Sequence, residues 1–121
     1  KEAVMARRFA IESYVRLETI DEVMQSLTTN GPLLYAMEWK DKWDSAKELN
    51  GYPVLDKVIG KGKYGHAVCI CGFDRKQGFF KFKNSWGNWG NEGYGLITFE
   101  AFSEYMWDCW SLFDKKHPLM K

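Results

Sequence analysis

The alternation of apolar and polar residues along the chain predicts about six strands and two helices. Imperfect alternation over 9–17 favours a first strand. Thr19 and Glu22 match a capping box, in which a hydroxyl and a carboxylate satisfy free amides at a helix start, and helical spacing of apolar residues continues to position 29. Further strands are predicted over 33–39, 66–73, 79–85, 94–99 and 109–113, and a short helix over 100–107.

Residues 40–64 carry the weakest pattern. A helical turn is predicted over 44–49, a short strand over 52–58, and a flexible approach to the next strand over 60–63. Elsewhere the connections have the length of hairpins, and few helices separate the strands. The sequence therefore predicts an α+β fold, in which an antiparallel barrel-like sheet carries peripheral helices.

The composition fits a single domain spanning residues 1–121. Of the 121 residues, 45% are hydrophobic and 17% are aromatic, which is enough to bury a core. The formal net charge of +1 gives no electrostatic footprint for nucleic acid or for an anionic membrane. No apolar run approaches the roughly 20 residues of a membrane helix. Neither a nucleic acid nor a membrane is therefore expected as a partner.

His66 and Asn84 are the candidates for chemistry. His66 opens one predicted strand, a turn is predicted at 74–78, and Asn84 closes the returning strand. Because antiparallel partners run in opposite directions, the two side chains are expected to lie close together. An amide that hydrogen-bonds an imidazole fixes its tautomer, so His66 would act as a general base or acid, or as the ion-pair partner of a thiolate. Taken alone, each has an ordinary structural interpretation, His66 as a core histidine and Asn84 as a turn residue.

The residues around this pair resemble the active-site signature of papain-like cysteine peptidases. Gly-His-Ala-Val at 65–68 is followed by Lys-Asn-Ser-Trp-Gly at 83–87, by Trp-Gly at 89–90 and by Glu-Gly-Tyr at 92–94. Weaker similarity extends upstream to about Tyr14. The resemblance implies a papain-like cysteine proteinase fold, of which this chain would be the right-hand antiparallel β-barrel-like half. The helical half that carries the cysteine is absent from this chain.

The resemblance also implies roles for individual residues. In the family the histidine exchanges a proton with the nucleophilic cysteine and the asparagine holds the ring, which assigns catalysis to His66 and Asn84. Trp86 is expected over their hydrogen bond and Trp89 beside the cleft, although most tryptophans are simply core aromatics. The substrate pocket, for an apolar side chain, is expected to be lined by Ala36, Tyr64, Gly65 and Ala67, with Met106 or Tyr105 at its base.

The chain has three cysteines, Cys69, Cys71 and Cys109. Strand alternation directs Cys69 and Cys71 to the face opposite His66, so neither is expected to be the nucleophile. Both are predicted to be buried free thiols, whereas Cys109 could pair with a cysteine outside this chain. No cofactor and no metal site are predicted, because His66 and Cys69 face apart and no second pair of ligands completes a tetrahedral set.

Three classes of function are compatible with these features. The first is a cysteine-type peptidase, to which this chain supplies His66 and Asn84 and which is inactive without the Cys-bearing half. The second is a catalytically inactive papain-like pseudoenzyme that binds a peptide or a protein. The third is a module that associates with itself through its exposed cleft face. The presence of both His66 and Asn84 favours the cysteine-type peptidase. Its expected partners are the helical half and a peptide or protein substrate.

The first residue and the number of cysteines bear on the origin of the chain. It begins at Lys1 without an initiator methionine or a signal pattern, which favours a processed chain or a fragment. Secreted eukaryotic relatives are usually rich in disulfides, so the sparse cysteines favour a bacterial or phage form. No segment assigns a compartment.

Overall fold

A computed structural model describes the backbone of residues 11–114 and the side chains of residues 14–111. Within this range the chain forms an eight-stranded sheet with two α-helices and a short 3-10 helix. The strands are β1 (Ile11–Arg16), β2 (Leu33–Lys40), β3 (Glu48–Leu49), β4 (Tyr52–Leu55), β5 (Gly62–Asp74), β6 (Phe79–Lys83), β7 (Tyr94–Thr98) and β8 (Met106–Asp114). The helices are α1 (Ile20–Asn30), α2 (Phe99–Tyr105) and the 3-10 helix Asp41–Ser45. Neither α-helix of the described range has the length and apolar character to span a bilayer.

The strands follow the order β1-β8-β2-β5-β6-β7-β4-β3 in the sheet. Neighbours are antiparallel throughout this order except for β4 and β7, which run parallel. The predicted antiparallel arrangement therefore has one exception. Its reason is topological, because the β5–β6 hairpin separates β4 from β7 in sequence and no tight turn fixes their relative direction.

The core lies on the face of the sheet that β2 and β5 share. Along β2 every second side chain is buried, which is the period-two pattern of a strand with one covered face. Apolar residues from the neighbouring strands and from both helices complete the core. Its largest members are Trp39, Tyr35, Phe80, Phe82, Phe102, Leu33, Met37, Leu55, Ile70 and Ile97. Each such side chain contributes about 1.5–3 kcal/mol through burial, so this face determines the stability of the fold.

Two buried hydroxyl groups of the core form specific hydrogen bonds. The hydroxyl of the fully buried Tyr35 donates to the carbonyl oxygen of Phe102 at 2.8 Å, and the two rings stack at 4.1 Å. Burial raises the pKa of the Tyr35 hydroxyl well above its usual range. Ser26 of α1 donates to Ser111 of β8 at 2.7 Å, which fixes that helix on the sheet. The helix and sheet are therefore joined by a specific contact as well as by apolar packing.

Helix α1 confirms its predicted position and its capping box. The Thr19 hydroxyl accepts a hydrogen bond from the Glu22 amide at 3.1 Å, and the Glu22 carboxylate accepts one from the Thr19 amide at 3.1 Å. A second amide, that of Glu18, donates to the same carboxylate at 2.8 Å. These bonds hold the pKa of Glu22 below its ordinary value, because they favour the charged carboxylate.

The weakly patterned region differs most from its prediction. A 3-10 helix occupies Asp41–Ser45 instead of a helical turn over 44–49. The second half of the segment predicted to be flexible, residues 62 and 63, is strand, because β5 begins at Gly62, which pairs with Lys40 of β2. Sequence periodicity does not report such long-range ladders, since the residues involved are small or charged.

The last strand and the last helix of the described range differ from their predicted bounds. Strand β8 begins at Met106 rather than at position 109, because Met106 pairs with Met37 of β2. Helix α2 is correspondingly shorter than predicted and is capped by Thr98, whose hydroxyl accepts from the Ala101 amide at 3.1 Å. Positions 9 and 10 of the first predicted strand lie outside the described residues.

Thr19→Ala should lower the free energy of unfolding by about 1 kcal/mol, because it leaves the Glu22 amide without its acceptor. The matched control is Thr29→Ala in the same helix, where the exposed hydroxyl only donates to the Gln25 carbonyl. That change should cost less than about 0.5 kcal/mol. Urea denaturation of both variants measures the difference, and equal losses would contradict the role assigned to the cap.

Candidate active site

His66 and Asn84 meet where the β5–β6 hairpin opens. Cys69 of β5 pairs with Lys83 of β6, so Asn84, the next residue, reaches the part of β5 that carries His66. The Nε2 atom of His66 lies 2.8 Å from Oδ1 of Asn84. The hairpin thus brings together the two side chains that the sequence singles out.

The hydrogen-bond pattern fixes the roles of the atoms in this pair. Oδ1 of Asn84 also lies 2.8 Å from the backbone nitrogen of Ser85, which can only donate. The amide is therefore oriented with its oxygen toward both partners, and Nε2 of His66 must carry the proton that it shares. In a neutral imidazole the other nitrogen, Nδ1, then keeps its lone pair and can accept a proton.

Asn84 is held in a nearly closed environment. Only 3% of the residue is exposed. Its backbone amide donates to the Gly93 carbonyl at 2.8 Å, which anchors the start of the loop that follows β6. Its Nδ2 atom is buried and has no hydrogen-bond partner among the described residues. A buried donor left without a partner costs about 1–3 kcal/mol, so this position is maintained against a stability penalty.

The loop over 84–94 positions the two tryptophans of the signature. The backbone amide of Trp89 donates to the Trp86 carbonyl at 2.7 Å. All three glycines within this loop have positive φ, a conformation that glycine adopts without steric cost. At Gly90, whose φ is +67°, a Cβ atom would lie 2.5 Å from the carbonyl oxygen of Tyr94. Another residue at this position would therefore displace the loop backbone.

Three aromatic rings surround the imidazole. The Trp86 ring lies against it, with ring centroids 4.5 Å apart and planes inclined by 32°. Trp39 stands nearly perpendicular at 5.4 Å, and Tyr64 does so at 6.3 Å. Trp39 is fully buried, Trp86 is half-buried and Tyr64 is exposed. These rings limit the access of water to the hydrogen bond between His66 and Asn84, and a drier setting strengthens that bond.

Trp89 belongs to the same aromatic cluster as Trp39 and Trp86. Its ring is half-buried and contacts Phe82 at 5.7 Å, Trp39 at 5.9 Å and Trp86 at 6.1 Å. A Cβ atom at Gly95 would lie 2.6 Å from it. In the described residues Trp89 therefore packs on the aromatic rings that contact His66.

The small residues predicted for the substrate pocket lie on the other face of the sheet. Ala36 of β2 pairs with Ala67 of β5 on one side and with Asp108 of β8 on the other. Gly65 follows on the same face of β5, because strand side chains alternate. The structure thus brings Ala36, Gly65 and Ala67 together, and their small size leaves a shallow area beside the strand that carries His66.

Trp107 borders this area in place of Met106 or Tyr105. Between the pairs Met37–Met106 and Ala36–Asp108 the register shifts by one residue, which makes Trp107 the extra residue of a β-bulge. A Cβ atom at Gly65 would lie 2.3 Å from the Trp107 ring, so the indole rests directly on that glycine. Trp107 is nevertheless 56% exposed. It is a wall that a ligand on this face would touch.

Tyr105, which was expected at the base of the pocket, forms a structural contact with Val58. Its hydroxyl donates to the Val58 carbonyl at 2.9 Å and accepts from the Val58 amide at 3.1 Å. Its ring meets Trp43 edge-on at 5.6 Å. Tyr105 therefore joins the segment before β5 to the core.

The thiols are poorly suited to nucleophilic attack. Val68 and Ile70 are buried, whereas Cys69 and Cys71 are half-exposed on the opposite face, which confirms the predicted alternation but not the predicted burial of both thiols. Partial burial raises the pKa of both. Cys109 is fully buried, and burial, helped by Asp108, raises the pKa of its thiol to about 12. Its depth also argues against a disulfide to a cysteine outside the chain.

Sequence reasoning missed two aromatic contacts of the site, Trp39 and Trp107. The sequence does indicate that Trp39 is buried, since this residue continues the apolar alternation of the strand predicted over 33–39. Its meeting with His66 required the pairing of β2 with β5, which the sequence does not specify. The sequence gives no indication of the position of Trp107, because a β-bulge changes the face on which a residue lies without altering the local sequence pattern. Among the described residues no group of three potential metal ligands is close enough to hold an ion.

The fold and this site define a class of protein. The model of the papain family cysteine proteases matches residues 2–106, and the chain belongs to this family. Among curated proteins, peptidase 1 of Psoroptes ovis is 28% identical over 98 residues, which are 77% of this chain. The alignment covers 30% of that protein.

Solved structures show the same fold. Xylellain, a cysteine protease from Xylella fastidiosa, superimposes with a TM-score of 0.73 at 24% identity over 92% of this chain and 43% of its own. A procathepsin B from Trypanosoma congolense gives 0.68 at 21% identity over 88% of this chain and 37% of its own. The predicted papain-like fold is thereby confirmed. The chain spans less than half the length of each of these relatives, in agreement with one half of that fold.

Gly65→Ala should lower the free energy of unfolding by about 1 kcal/mol, because the new methyl group displaces the Trp107 ring. In a Trp107→Ala background the same change should cost less than about 0.5 kcal/mol, since the obstacle is gone. A double-mutant cycle measured by urea denaturation tests this contact. Additive effects of the two substitutions would show that Trp107 does not rest on Gly65 in solution.

The thiols should react slowly with iodoacetamide at pH 7, because a raised pKa leaves little thiolate at that pH. Raising the pH above 9 should accelerate alkylation of Cys69 and Cys71, while Cys109 stays unmodified until the chain unfolds. Mass spectrometry of timed samples counts the adducts. Rapid modification of one thiol at pH 7 would contradict its assignment as an inert group.

Proposed function

We propose that this chain is the histidine- and asparagine-bearing half of a cysteine peptidase that cleaves peptide bonds through a Cys/His/Asn site. The observation that carries the proposal is the 2.8 Å contact between Nε2 of His66 and Oδ1 of Asn84 in a shielded setting. That contact leaves Nδ1 of His66 as the proton acceptor. An oriented imidazole of this kind is what a thiol nucleophile needs, and a binding module has no use for it.

In this proposal His66 moves the protons of the reaction. Nδ1 takes the proton of the cysteine thiol, which forms a thiolate and an imidazolium. The thiolate attacks the scissile carbonyl carbon, and Nδ1 then gives its proton to the departing amine. Water next attacks the acyl group and gives one proton to Nδ1, which returns it to the cysteine sulfur as the acid product leaves. His66 thus begins and ends the cycle neutral.

Asn84 keeps the ring in one orientation throughout the cycle. Its Oδ1 accepts from Nε2–H, which carries a proton whether the imidazole is neutral or charged. The hydrogen bond therefore persists when Nδ1 gains and loses its proton. Trp86 supports this role because it lies against the imidazole and reduces competition from water.

The nucleophile is proposed to come from a second, helical half of the peptidase. Cys69 and Cys71 lie on the face of β5 opposite His66, and Cys109 is buried in the core. Exposed apolar side chains are available to receive that half, namely Ile59 at 88% exposure, Trp107 at 56% and Tyr64 at 44%. Exposed apolar residues that form one patch are typical of surfaces that pack on a partner, and the proposal expects these three to be covered in the assembled protein. This chain alone is accordingly proposed to be inactive.

One side chain of the substrate is proposed to lie on the outer face of β5, while the scissile bond lies beside His66. The resemblance places Ala36, Tyr64, Gly65 and Ala67 at the pocket for the residue that precedes the one at the scissile bond. Tyr64 lies instead on the face of His66, whose ring it meets at 6.3 Å, so the proposed pocket comprises the other three residues. Ala36 and Ala67 are paired neighbours, and Trp107 rests on Gly65 beside them. Small residues with an aromatic wall suit an apolar side chain, because they offer contact area without charge.

The purified chain should not hydrolyse a peptide substrate, and the protein assembled with a Cys-bearing helical half should. In the assembled protein His66→Ala is expected to lower kcat/KM at least about 100-fold, because the proton acceptor is lost. Asn84→Ala should lower it about 10- to 100-fold through misorientation of the ring. Asn88→Ala, an exposed asparagine of the same loop, is the matched control and should leave the rate unchanged.

Two outcomes would contradict the proposal. Hydrolysis by this chain alone that a single cysteine-to-serine substitution abolishes would place the nucleophile within it. An assembled protein that binds peptides tightly without cleaving them would instead favour the pseudoenzyme. Trp107→Ala in an active assembly tests the pocket separately, since it should change the preferred side chain there while the rate with the best substrate is retained.

A further inference from the structure

We propose that Trp39 is a positioning residue that holds the imidazole of His66 in the orientation set by Asn84. The inference rests on the proposed function and concerns a residue outside the signature at 65–94. Trp39 is fully buried, and its ring lies 5.4 Å from the imidazole at an angle of 83°. It touches neither the nucleophile nor the substrate in the proposed mechanism, so it acts through His66.

The imidazole is restrained from three directions. Asn84 binds its Nε2 atom, Trp86 lies against the ring at 4.5 Å, and Trp39 stands perpendicular to it. Trp39 also meets Trp86 at 4.7 Å and thereby supports a second restraint. Removing the Trp39 ring would leave a cavity on one side of the imidazole, into which His66 and Trp86 could both turn.

Strand pairing explains why Trp39 reaches this place. Met37 is the direct partner of His66, and Trp39 lies two residues further along β2 on the same face. A diagonal neighbour of this kind is within reach of an aromatic side chain. The buried Met37 fills the direct position, so the larger Trp39 ring extends toward the imidazole from the side.

Trp39 is itself fixed at its polar edge. Its Nε1–H donates to Oδ1 of Asp44 at 3.2 Å, and the other carboxylate oxygen of Asp44 pairs with Lys63 on β5. Hydrogen bonds from Lys63 and Trp39 hold the pKa of Asp44 below its usual range. An exposed ion pair adds little stability by itself. The effect of this ion pair is to hold the Trp39 indole in one orientation. Lys63, which anchors Asp44, lies three residues before His66 on β5.

Trp43 supplies a matched comparison within the same cluster. It is 2% exposed, meets Trp39 edge-on at 5.3 Å and donates its Nε1–H to the Asp56 carbonyl at 2.9 Å. Like Trp39 it is therefore a buried and hydrogen-bonded indole. No ring contact joins it to His66 in the described part of the chain, so its loss should create a cavity one ring away from the imidazole.

The test is hydrogen exchange of the His66 Nε2–H proton, followed in ¹H–¹⁵N spectra of this chain. The bond to Asn84 should protect that proton in the unmodified protein. Trp39→Leu is expected to raise its exchange rate at least about tenfold, because the ring leaves its oriented position more often. Trp39→Phe should restore most of the protection, and Trp43→Leu should leave the rate within about twofold.

The proposal would be overturned if a folded Trp39→Leu protein kept the exchange rate and chemical shift of His66 unchanged. An equal increase in Trp43→Leu would also overturn it, since the effect would then be general loosening of the core. Asp44→Ala provides a second measurement should Trp39→Leu not fold, because Asp44 is exposed. It should raise the rate severalfold while the control Asp41→Ala does not, and equal rates would count against the proposal.

This readout is independent of peptidase activity. It requires neither the nucleophile nor a substrate, only the hydrogen bond between His66 and Asn84. An inactive assembly together with the expected exchange rates would reject the proposed function and leave the positioning role standing. If the exchange rates were unchanged while the assembled protein was active, the positioning role of Trp39 would be rejected and the proposed function would stand.

Discussion

The antiparallel pairing of β2 with β5 is the constraint on which the rest of the structure depends. Its register places Met37 opposite His66 and Ala36 opposite Ala67. The first pair belongs to the buried aromatic face, and the second belongs to the outer face. Because side chains alternate with a period of two, a slip by one residue would exchange the two faces and destroy the core. The buried residues of β2 therefore specify the position of the site as well as the stability of the sheet.

This pairing assigns separate tasks to the two faces of β5. On one face His66 is surrounded by large rings and bonded to Asn84, an arrangement that suits proton transfer in a dry setting. On the other face Gly65 and Ala67 present little bulk, and the Trp107 ring lies on Gly65. Under the proposed function, consecutive residues of one strand would combine an oriented base with a surface for a ligand. A short rigid element achieves this more accurately than a loop would.

The site carries features that a fold optimised only for stability would avoid. Asn84 is buried with an unpaired Nδ2 atom among the described residues, and large apolar side chains such as Ile59 and Trp107 are exposed. Proteins violate the usual rules of burial at places where function requires it. The unpaired Nδ2 atom lies next to His66, and Trp107 lies on the glycine before it, so two of these departures are at the candidate active site. Others lie elsewhere, such as the unpaired Oδ1 of Asn30.

The sequence by itself determined helix α1 with its capping box, most of the strands, the signature around His66 and Asn84, and the opposite orientation of the neighbouring thiols. These features are local, since they depend on periodicity, caps and turns within a few residues. Tertiary structure alone decided the parallel pairing of β4 with β7, the start of β5 at Gly62, and the contacts of Trp39 and Trp107 beside His66. Each of these depends on which strands become neighbours and in what register, and that choice is made by packing between residues far apart in the chain.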